Sequence, residues 1–256
     1  MIPTINKNDE DLVIDFRYKF KNATESHTYD AIYKGKPVIA KFFINKASIE
    51  NKVKKMILIK ERCKYTDIVV TADAFIEENG EIVGYMMPKI HGINLYDKSL
   101  DYKRKPEILI WYLKELAKNL KRLHELNIIT ADFTHNTIVK DNKLYFIDHD
   151  NFSIDGLLVD KQNKFLTRYL EQRKKIDKNF DFYLLNLYTF TLLRQYCLPR
   201  IYNTYDMNRD LFNFRDEEIR EIFKKSILLD KTFNGELIID KINCRKDLKK
   251  IKSKIF

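Results

Sequence analysis

Glycine is scarce in this chain, with 6 among 256 residues. Because glycine is the residue that most readily adopts positive φ and lets the backbone approach a ligand, this scarcity limits glycine-rich binding loops. Proline is also rare, at 5 residues, and no Pro-, Gly- or Ser-rich linker, internal repeat or low-complexity tract divides the sequence. At this length we expect one or two domains.

Cysteine and long apolar runs are also limited. The three cysteines, Cys63, Cys197 and Cys244, are odd in number and far apart, which favours reduced thiols and a cytoplasmic location. The longest apolar runs are short and bounded by charges, so we expect no membrane-spanning segment. Residues 1–16 carry acidic side chains and no apolar stretch, which does not fit a secretory signal.

The charge balance is basic, with 47 Lys and Arg against 37 Asp and Glu and a net charge of +10. Nucleic acid, an anionic membrane or an acidic substrate would each suit such a balance. Most of the excess is lysine in a chain rich in Ile and Asn, a composition that AT-rich coding produces without selection. We therefore do not expect a nucleic acid partner. The 45% hydrophobic and 13% aromatic content predicts a globular protein.

Hydrophobic periodicity divides the chain into a strand-rich first third and a largely helical remainder. We predict strands within residues 12–45, a helix over 47–62, strands over 67–77 and 81–90, a helix over 107–126 and a hairpin over 137–148. Helices are expected again afterwards, apart from a polar stretch near 155–180. This order predicts an α+β fold with two lobes, an antiparallel sheet with one helix followed by a short helical lobe.

A lysine lies within one predicted strand, Pro37–Phe43. Strand alternation puts Ile39 and Lys41 on one face and Ala40 and Phe42 on the other. An unpaired ammonium on a buried face is costly, so this position makes sense if an anion binds there. The alternative is an edge lysine whose ammonium reaches water.

Three polar residues follow the long helix: Asp132 and Asn136 in a predicted loop, and Asp148 at the end of the hairpin. Phosphoryl transfer requires a carboxylate for the nucleophile and oxygen ligands for Mg²⁺. Because Mg²⁺ keeps several waters and also binds phosphates, one amide and one carboxylate suffice. The order and spacing of the three residues favour this chemistry.

On these residues the chain resembles the protein kinase superfamily. Val38–Lys41 is similar to the V-A-I-K strand, Thr130–Asn136 to the catalytic loop, and Asp148–Asp150 to the D-F-G motif. Four weaker matches follow the same order. His124 matches the histidine before the catalytic loop, and residues 84–95 match the hinge. Tyr169–Glu171 lies at the A-P-E position, and Asp181 matches the aspartate of the central C-lobe helix. The resemblance covers about residues 15 to 195 in the family's order.

The resemblance implies a small bacterial or phage eukaryotic-like Ser/Thr kinase that uses ATP and Mg²⁺ on a protein substrate, with Tyr left open as acceptor. It implies an N-lobe at 1–90 and a C-lobe at 91–256, together one domain over 10–256. Asp132 would be the catalytic base, and Lys41 would be a catalytic residue that also binds ATP. Asn136 and Asp148 would bind the metal. The remaining ATP-binding residues would be Glu50, Ile39, Met87, Pro88, Ile90 and Ile138.

Several residues depart from the family pattern around the nucleotide. Residues 22–29, at the place of the Gly-rich loop, contain no glycine, and Ile39 replaces a small residue. Asn136 follows Asp132 by four positions, where the pattern has five. These changes predict a more crowded nucleotide pocket and a shorter catalytic loop.

Two further departures concern regulation. Ala131 replaces the arginine that binds activation-segment phosphate, so we expect no phosphorylation switch within residues 148–171. His149 and Asp150 replace Phe-Gly, which puts the usual in/out movement of this motif in doubt.

The acidic partner of Lys41 has two candidates. Glu50 shares a helix face with Val53 and Ile57, but it follows Lys41 by only nine residues. Glu61 is better spaced, but no apolar stripe supports it. We favour Glu50.

The C-terminal segment has an apolar stripe beneath a basic face, formed by Ile242, Leu248, Ile251 and Ile255. A basic amphipathic helix can lie on an anionic membrane. We favour the alternative, a last helix that packs its stripe on the C-lobe.

Two other functions compete with a protein kinase. A small-molecule phosphotransferase resembling the aminoglycoside kinases would share the Asp…Asn…Asp core, although those enzymes usually have a longer C-lobe insert and an acidic cleft. A pseudokinase that only binds partners would explain the missing glycines. The joint presence of Lys41, Asp132, Asn136 and Asp148 argues against it.

Overall fold

The computed structural model describes residues 2–19, 26–95, 97, 100, 105–159, 164–197 and 214–251. Within them the protein is an α+β fold, as the sequence predicts. The chain forms two compact units: Met1–Ile93 with Asn136–Asp160, and Asn94–His135 with Lys161–Phe256. The first unit therefore includes the hairpin and Asp148, which the predicted boundary at residue 90 assigned to the C-terminal part.

The strands are β1 Thr4–Asn6, β2 Leu12–Lys19, β3 Ser26–Tyr33, β4 Lys36–Phe43, β5 Ala74–Glu78, β6 Glu81–Pro88, β7 Ile93–Asn94, β8 Ile128–Ile129, β9 Thr137–Lys140, β10 Lys143–Phe146 and β11 Ser153–Ile154. The helices are α1 Ile49–Arg62, α2 Pro106–Glu125, α3 Lys164–Arg173, α4 Lys178–Cys197 and α5 Glu217–Ile227. Five of these elements were not predicted: the short strands β1, β7, β8 and β11, and helix α3. β1 is too short to show alternation, and α3 is a charged helix within the stretch expected to be polar and irregular.

The first unit contains a six-stranded mixed sheet in the order β1-β5-β6-β4-β3-β2. Its pairs are antiparallel except for β1 with β5, which is parallel. β4 lies between β3 and β6, so Lys41 has Thr28 on one side and Tyr85 on the other. A central strand position explains why this lysine is buried.

The two faces of β4 enter different apolar clusters, as strand alternation requires. Ile39 and Phe43 pack with a cluster that contains Tyr85, whereas Ala40 and Phe42 belong to the cluster on the opposite face. Lys41 alternates with these residues and lies on the face of Ile39. The predicted orientation of this strand is confirmed.

Helix α1 buries a face that includes Lys52, Met56 and Ile59. The predicted apolar face included Met56, which is buried, but also Ile57, which Glu50 was expected to accompany and which is 39% exposed. The helix is therefore rotated about its axis relative to the prediction. This rotation turns a lysine, and not a glutamate, toward the interior of the unit.

The second unit is mostly helical, and its longest helices are α2 and α4. α3 has Leu166 and Tyr169 buried three residues apart, which anchors an otherwise charged helix. Near the end of the chain, Ile242, Leu248 and Ile251 are buried, in agreement with a packed tail. The tail forms a 3-10 helix over Arg245–Ile251 and not the predicted α-helix, and Ile255 lies outside the described residues. No helix in the described part of the chain has the length and apolarity that a bilayer span needs.

Candidate active site

The site in the first unit is built around Lys41, whose side chain is 6% exposed. Lys41 projects from β4, and the centroid of the Tyr85 ring lies 5.4 Å from its Nζ. A buried ammonium requires anionic partners, and two carboxylates provide them.

Those carboxylates come from the segment after β10. Asp148 has φ 64° and ψ 43°, a left-handed conformation, and it precedes a 3-10 turn over His149–Asn151. Asp is one of the few residues besides glycine that adopt this conformation readily. The turn brings Asp148 and Asp150 to the same ammonium, although the Asp148 side chain is 30% exposed and that of Asp150 is 1% exposed.

Lys41, Tyr85 and Lys52 contact Asp150, and Asp148 contacts the same Lys41 ammonium. Lys41 Nζ forms ion pairs with Asp148 Oδ1 and, at 3.2 Å, with Asp150 Oδ1. The hydroxyl of Tyr85 donates to Asp150 Oδ1 at 2.9 Å, and Lys52 Nζ of α1 donates to Asp150 Oδ2 at 3.1 Å. The result is a buried cluster of two ammonium groups and two carboxylates.

The pKa values follow from burial and from these charges. Burial alone would lower the pKa of Lys41, but the charges of Asp148 and Asp150 outweigh it and raise that pKa well above its usual value. Burial would likewise raise the pKa of Asp150, but Lys41 and Lys52 hold it well below the usual range. For Asp148, burial and the charge of Asp150 prevail over Lys41 and raise the pKa to about 7. Asp150 is therefore the firmly ionised carboxylate of the two.

His149 is fully buried between these two aspartates in sequence. Its Nε2 accepts a hydrogen bond from the Ala72 amide at 3.3 Å, and its ring meets Tyr85 edge-on at 5.6 Å. Burial lowers the pKa of His149 to about 4, so the ring is neutral near pH 7. Its Nδ1 has no hydrogen-bond partner among the described residues. His149 thus serves as a packed residue behind the charged cluster.

Apolar residues lie on the same side of the sheet. Ile39 and Met87 face each other across β4 and β6, and both belong to a cluster that also includes Ile90. Pro88 is the partner of Val38 in this register. Of these residues, Ile39, Met87, Pro88 and Ile90 were predicted to contact an adenine.

Ile138 lies on β9, where it pairs with Tyr145 of β10. A Cβ built on Gly92 would meet the Ile138 side chain at 2.5 Å. Ile138 is therefore close to Gly92, within the segment 84–95 that resembles the hinge.

The predicted metal ligands Asn136 and Asp148 both belong to the first unit. The amide of Ile147 donates to the carbonyl of Asn136 at 2.9 Å, which places the residue before Asp148 beside Asn136. An amide and a half-buried carboxylate fit Mg²⁺, which prefers oxygen ligands and completes its shell with phosphates and water. No group of three or more His, Cys, Asp or Glu that could hold a metal alone occurs among the described residues.

Asp132 belongs to the second unit, in a loop held by a buried carboxylate at the start of α4. Asp181 is fully buried and accepts hydrogen bonds at 2.9 Å from the amides of Thr130 and Ala131 and from the Thr130 hydroxyl. His124 Nε2 is also 2.9 Å from Asp181. Ala131 has φ 57°, a strained conformation that these bonds stabilise. They fix the backbone immediately before Asp132.

The predicted Lys41–Glu50 ion pair is wrong. Glu50 is exposed and pairs with Lys54 one helical turn away, and Glu61 is exposed as well. The rotation of α1 described above is the physical reason. Sequence reasoning missed Lys52, which lies four residues before the buried Met56 and so shares its helical face.

Sequence reasoning also missed the roles of Asp150 and Tyr85. From the sequence, Asp150 indicated only the loss of a glycine, and Tyr85 was only one residue of the segment 84–95 that resembles the hinge. Strand pairing of Tyr85 with Lys41 is the signal that could have found the tyrosine. No local pattern marks the contact of Asp150 with α1.

No protein-family model matches this chain, and no curated protein matches it either. The assignment of a function therefore rests on the residues and geometry described above.

Proposed function

We propose that this chain is an ATP- and Mg²⁺-dependent protein kinase that transfers the γ-phosphate to Ser or Thr hydroxyls of a protein, with Tyr left open. The proposal includes a two-lobe protein kinase-like fold. The α+β class, the six-stranded sheet with α1 and the helical second unit support it.

The contact between Lys41 and Asp148 carries the proposal. These residues lie 107 positions apart, and the resemblance implies that both act on the phosphates of one nucleotide. Their meeting is what such a shared site requires. Asn136, whose carbonyl accepts the amide of Ile147 next to Asp148, would be the second metal ligand.

Each residue of the first unit has a distinct role in this proposal. Lys41 binds phosphate oxygens, and Asn136 with Asp148 holds Mg²⁺, which would neutralise the charge that develops on the phosphates. The apolar group of Ile39, Met87 and Ile90 supplies the surface for adenine.

Asp132 has the role of catalytic base. It accepts the proton of the substrate hydroxyl as that oxygen bonds to the γ-phosphorus, while the bond from phosphorus to the leaving oxygen of ADP breaks. Catalysis of this reaction is mostly positioning. The hydrogen bonds of Asp181 to the backbone before Asp132 therefore matter, because they fix the position of the base.

The test is incubation of the purified protein with γ-labelled ATP and Mg²⁺, alone and with cell proteins. We expect label on protein Ser or Thr, loss of labelling with EDTA, and loss by at least a hundredfold in Asp132→Asn. Label on a small molecule such as an aminoglycoside would favour the small-molecule phosphotransferase instead. Nucleotide binding without any transfer would favour a pseudokinase.

A further inference from the structure

Asp150 is the most buried charged group of the site, and its three hydrogen bonds come from the buried side chains of Lys41, Tyr85 and Lys52. Its Oδ1 faces Lys41 and the Tyr85 hydroxyl, and its Oδ2 faces Lys52. Asp148, with 30% of its side chain exposed, contacts Lys41 as well. Asp148 can therefore move away from the Lys41 ammonium more easily than Asp150 can.

We propose that Asp150 is the positioning residue that aligns Lys41 for the nucleotide, and that Lys52 of α1 holds Asp150 in place. The inference rests on the proposed function and names how the phosphate-binding lysine of that site is oriented. In this arrangement the fixed carboxylate comes from the segment after β10, and α1 contributes a cation where a glutamate was predicted.

Charge balance explains the division of roles. In the described cluster, two ammonium groups face two carboxylates. If Asp148 bound a cation, Asp150 would still pair with Lys41 and Lys52, and the Lys41 ammonium would have room for a phosphate oxygen in place of Asp148. Asp150 cannot follow Asp148, because Lys41 and Lys52 share its carboxylate, and removing one partner of a buried ion pair is costly.

The burial of Asp150 also fits an alternative role, in which its ion pairs only stabilise the fold. If the ion pairs of Asp150 only stabilised the fold, Asp150→Asn would lower stability, and any effect on nucleotide binding would not depend on Lys41. A positioning residue acts through Lys41, so its contribution to nucleotide binding must vanish when the Lys41 ammonium is absent. A double-mutant cycle separates these cases.

The experiment measures the dissociation constant of MgATP for wild type, Asp150→Asn, Lys41→Met and the double variant, with folding checked by urea unfolding. We expect Asp150→Asn to weaken binding at least tenfold in the wild-type background and less than twofold in the Lys41→Met background. Lys54→Met, which removes an exposed cation of the same helix, should leave binding unchanged.

Lys52→Met provides a second route if Asp150→Asn does not fold. We expect it to weaken MgATP binding threefold or more in wild type and not at all beside Lys41→Met. Equal losses in both backgrounds would overturn the positioning role while leaving the proposed function intact. A wild-type protein that does not bind MgATP would overturn the proposed function, and this inference with it.

Discussion

At the scale of single residues, two aspartates in one short motif have different environments. Asp150 is enclosed by Lys41, Lys52 and Tyr85, whereas Asp148 retains contact with solvent. A cation can reach only the second without breaking the cluster. In the proposed function, Asp148 is therefore the carboxylate that would bind the metal.

Asp148→Asn should sharply reduce the stabilisation that MgATP confers. The amide replaces the only carboxylate at the proposed metal position, so the metal loses a charged ligand. We expect the rise in melting temperature with saturating MgATP to fall below half of the wild-type value. Asp67→Asn, which changes an exposed aspartate of the same unit, is the matched control. An unchanged rise would remove Asp148 from the metal site.

Cys63 and Cys244 should differ in reactivity. Cys63 is buried, and burial raises the pKa of its thiol from the ordinary 9.0 to about 11, whereas Cys244 is exposed. At pH 8, iodoacetamide should alkylate Cys244 and spare Cys63 in the folded protein, as read by peptide mass spectrometry. Rapid alkylation of Cys63 under these conditions would show that the first unit opens readily.

The same thiol gives a pH dependence with a definite sign. Because its pKa is higher in the folded state, the fold favours the protonated thiol, and this contribution is complete below pH 9 and is lost as pH rises toward 11. The loss is roughly 2–3 kcal/mol. Urea unfolding at pH 8 and pH 11 should show a smaller loss in Cys63→Ala than in wild type; equal losses would contradict the assignment.

At the scale of elements, the approach of β6 to β4 depends on a glycine. A Cβ on Gly84 would overlap the carbonyl oxygen of Lys41 and lie 3.1 Å from Phe42 Cα, both backbone atoms that cannot move aside separately. Gly84 therefore sets the distance between the strand that bears Lys41 and the strand that bears Tyr85.

Gly84→Ala should destabilise the protein by about 2 kcal/mol or more, because overpacking against backbone shifts a whole strand. Urea denaturation measures the change, with Glu81→Ala as control, since Glu81 is exposed on the same strand. MgATP binding should weaken as well, because Lys41 moves with β4. A variant as stable as wild type would show that the sheet can widen here without cost.

The predicted activation segment offers few hydroxyl groups to a modifying enzyme. Ser153 is buried, and the buried Tyr169 donates its hydroxyl to Asp177 Oδ1 at 2.6 Å. Thr167 on α3 is exposed. Among the described residues of this segment, Thr167 is thus the accessible aliphatic hydroxyl.

Two arginines near Thr167 are already engaged with backbone carbonyls. Arg168 donates to Ile227 at 3.1 Å, and Arg173 donates to Asp230 at 2.7 Å and to Phe233 at 2.9 Å. A phosphate would have to displace these bonds to gain a partner. The arrangement agrees with the absence of an arginine at position 131.

Thr167→Ala should therefore change the proposed kinase activity less than twofold, because Arg168 and Arg173 already donate to backbone carbonyls. The assay compares phosphatase-treated wild type and variant on one substrate, and Lys164→Ala on the same helix serves as control. A tenfold drop, about 1.4 kcal/mol in barrier, would indicate a phosphorylation switch.

At the scale of the whole molecule, each unit carries a different part of the proposed chemistry. The first unit contains Lys41, Asn136 and Asp148, and the second contains Asp132 on its Asp181-anchored loop. The residues proposed to bind the nucleotide thus lie within one unit. The proposed base lies in the other unit, next to the hydrogen bonds of Asp181.

The sequence by itself determined the α+β class, the main strands and helices, the face of Lys41 and the position of Asp148 after a hairpin. All of these depend on periodicity or on short-range order, which a linear pattern records. The parallel strand β1 and the charged helix α3 were missed because three residues carry no period and few apolar residues mark α3.

Only the tertiary structure decided which charges meet at Lys41. Glu50 and Lys52 differ by two positions, and a modest rotation of α1 exchanges which of them is buried. Asp150 reaches Lys52 from 98 residues away through a left-handed turn at Asp148. Helix rotation and a backbone conformation of this kind follow from packing of the whole unit, so no spacing in the sequence could reveal the pair.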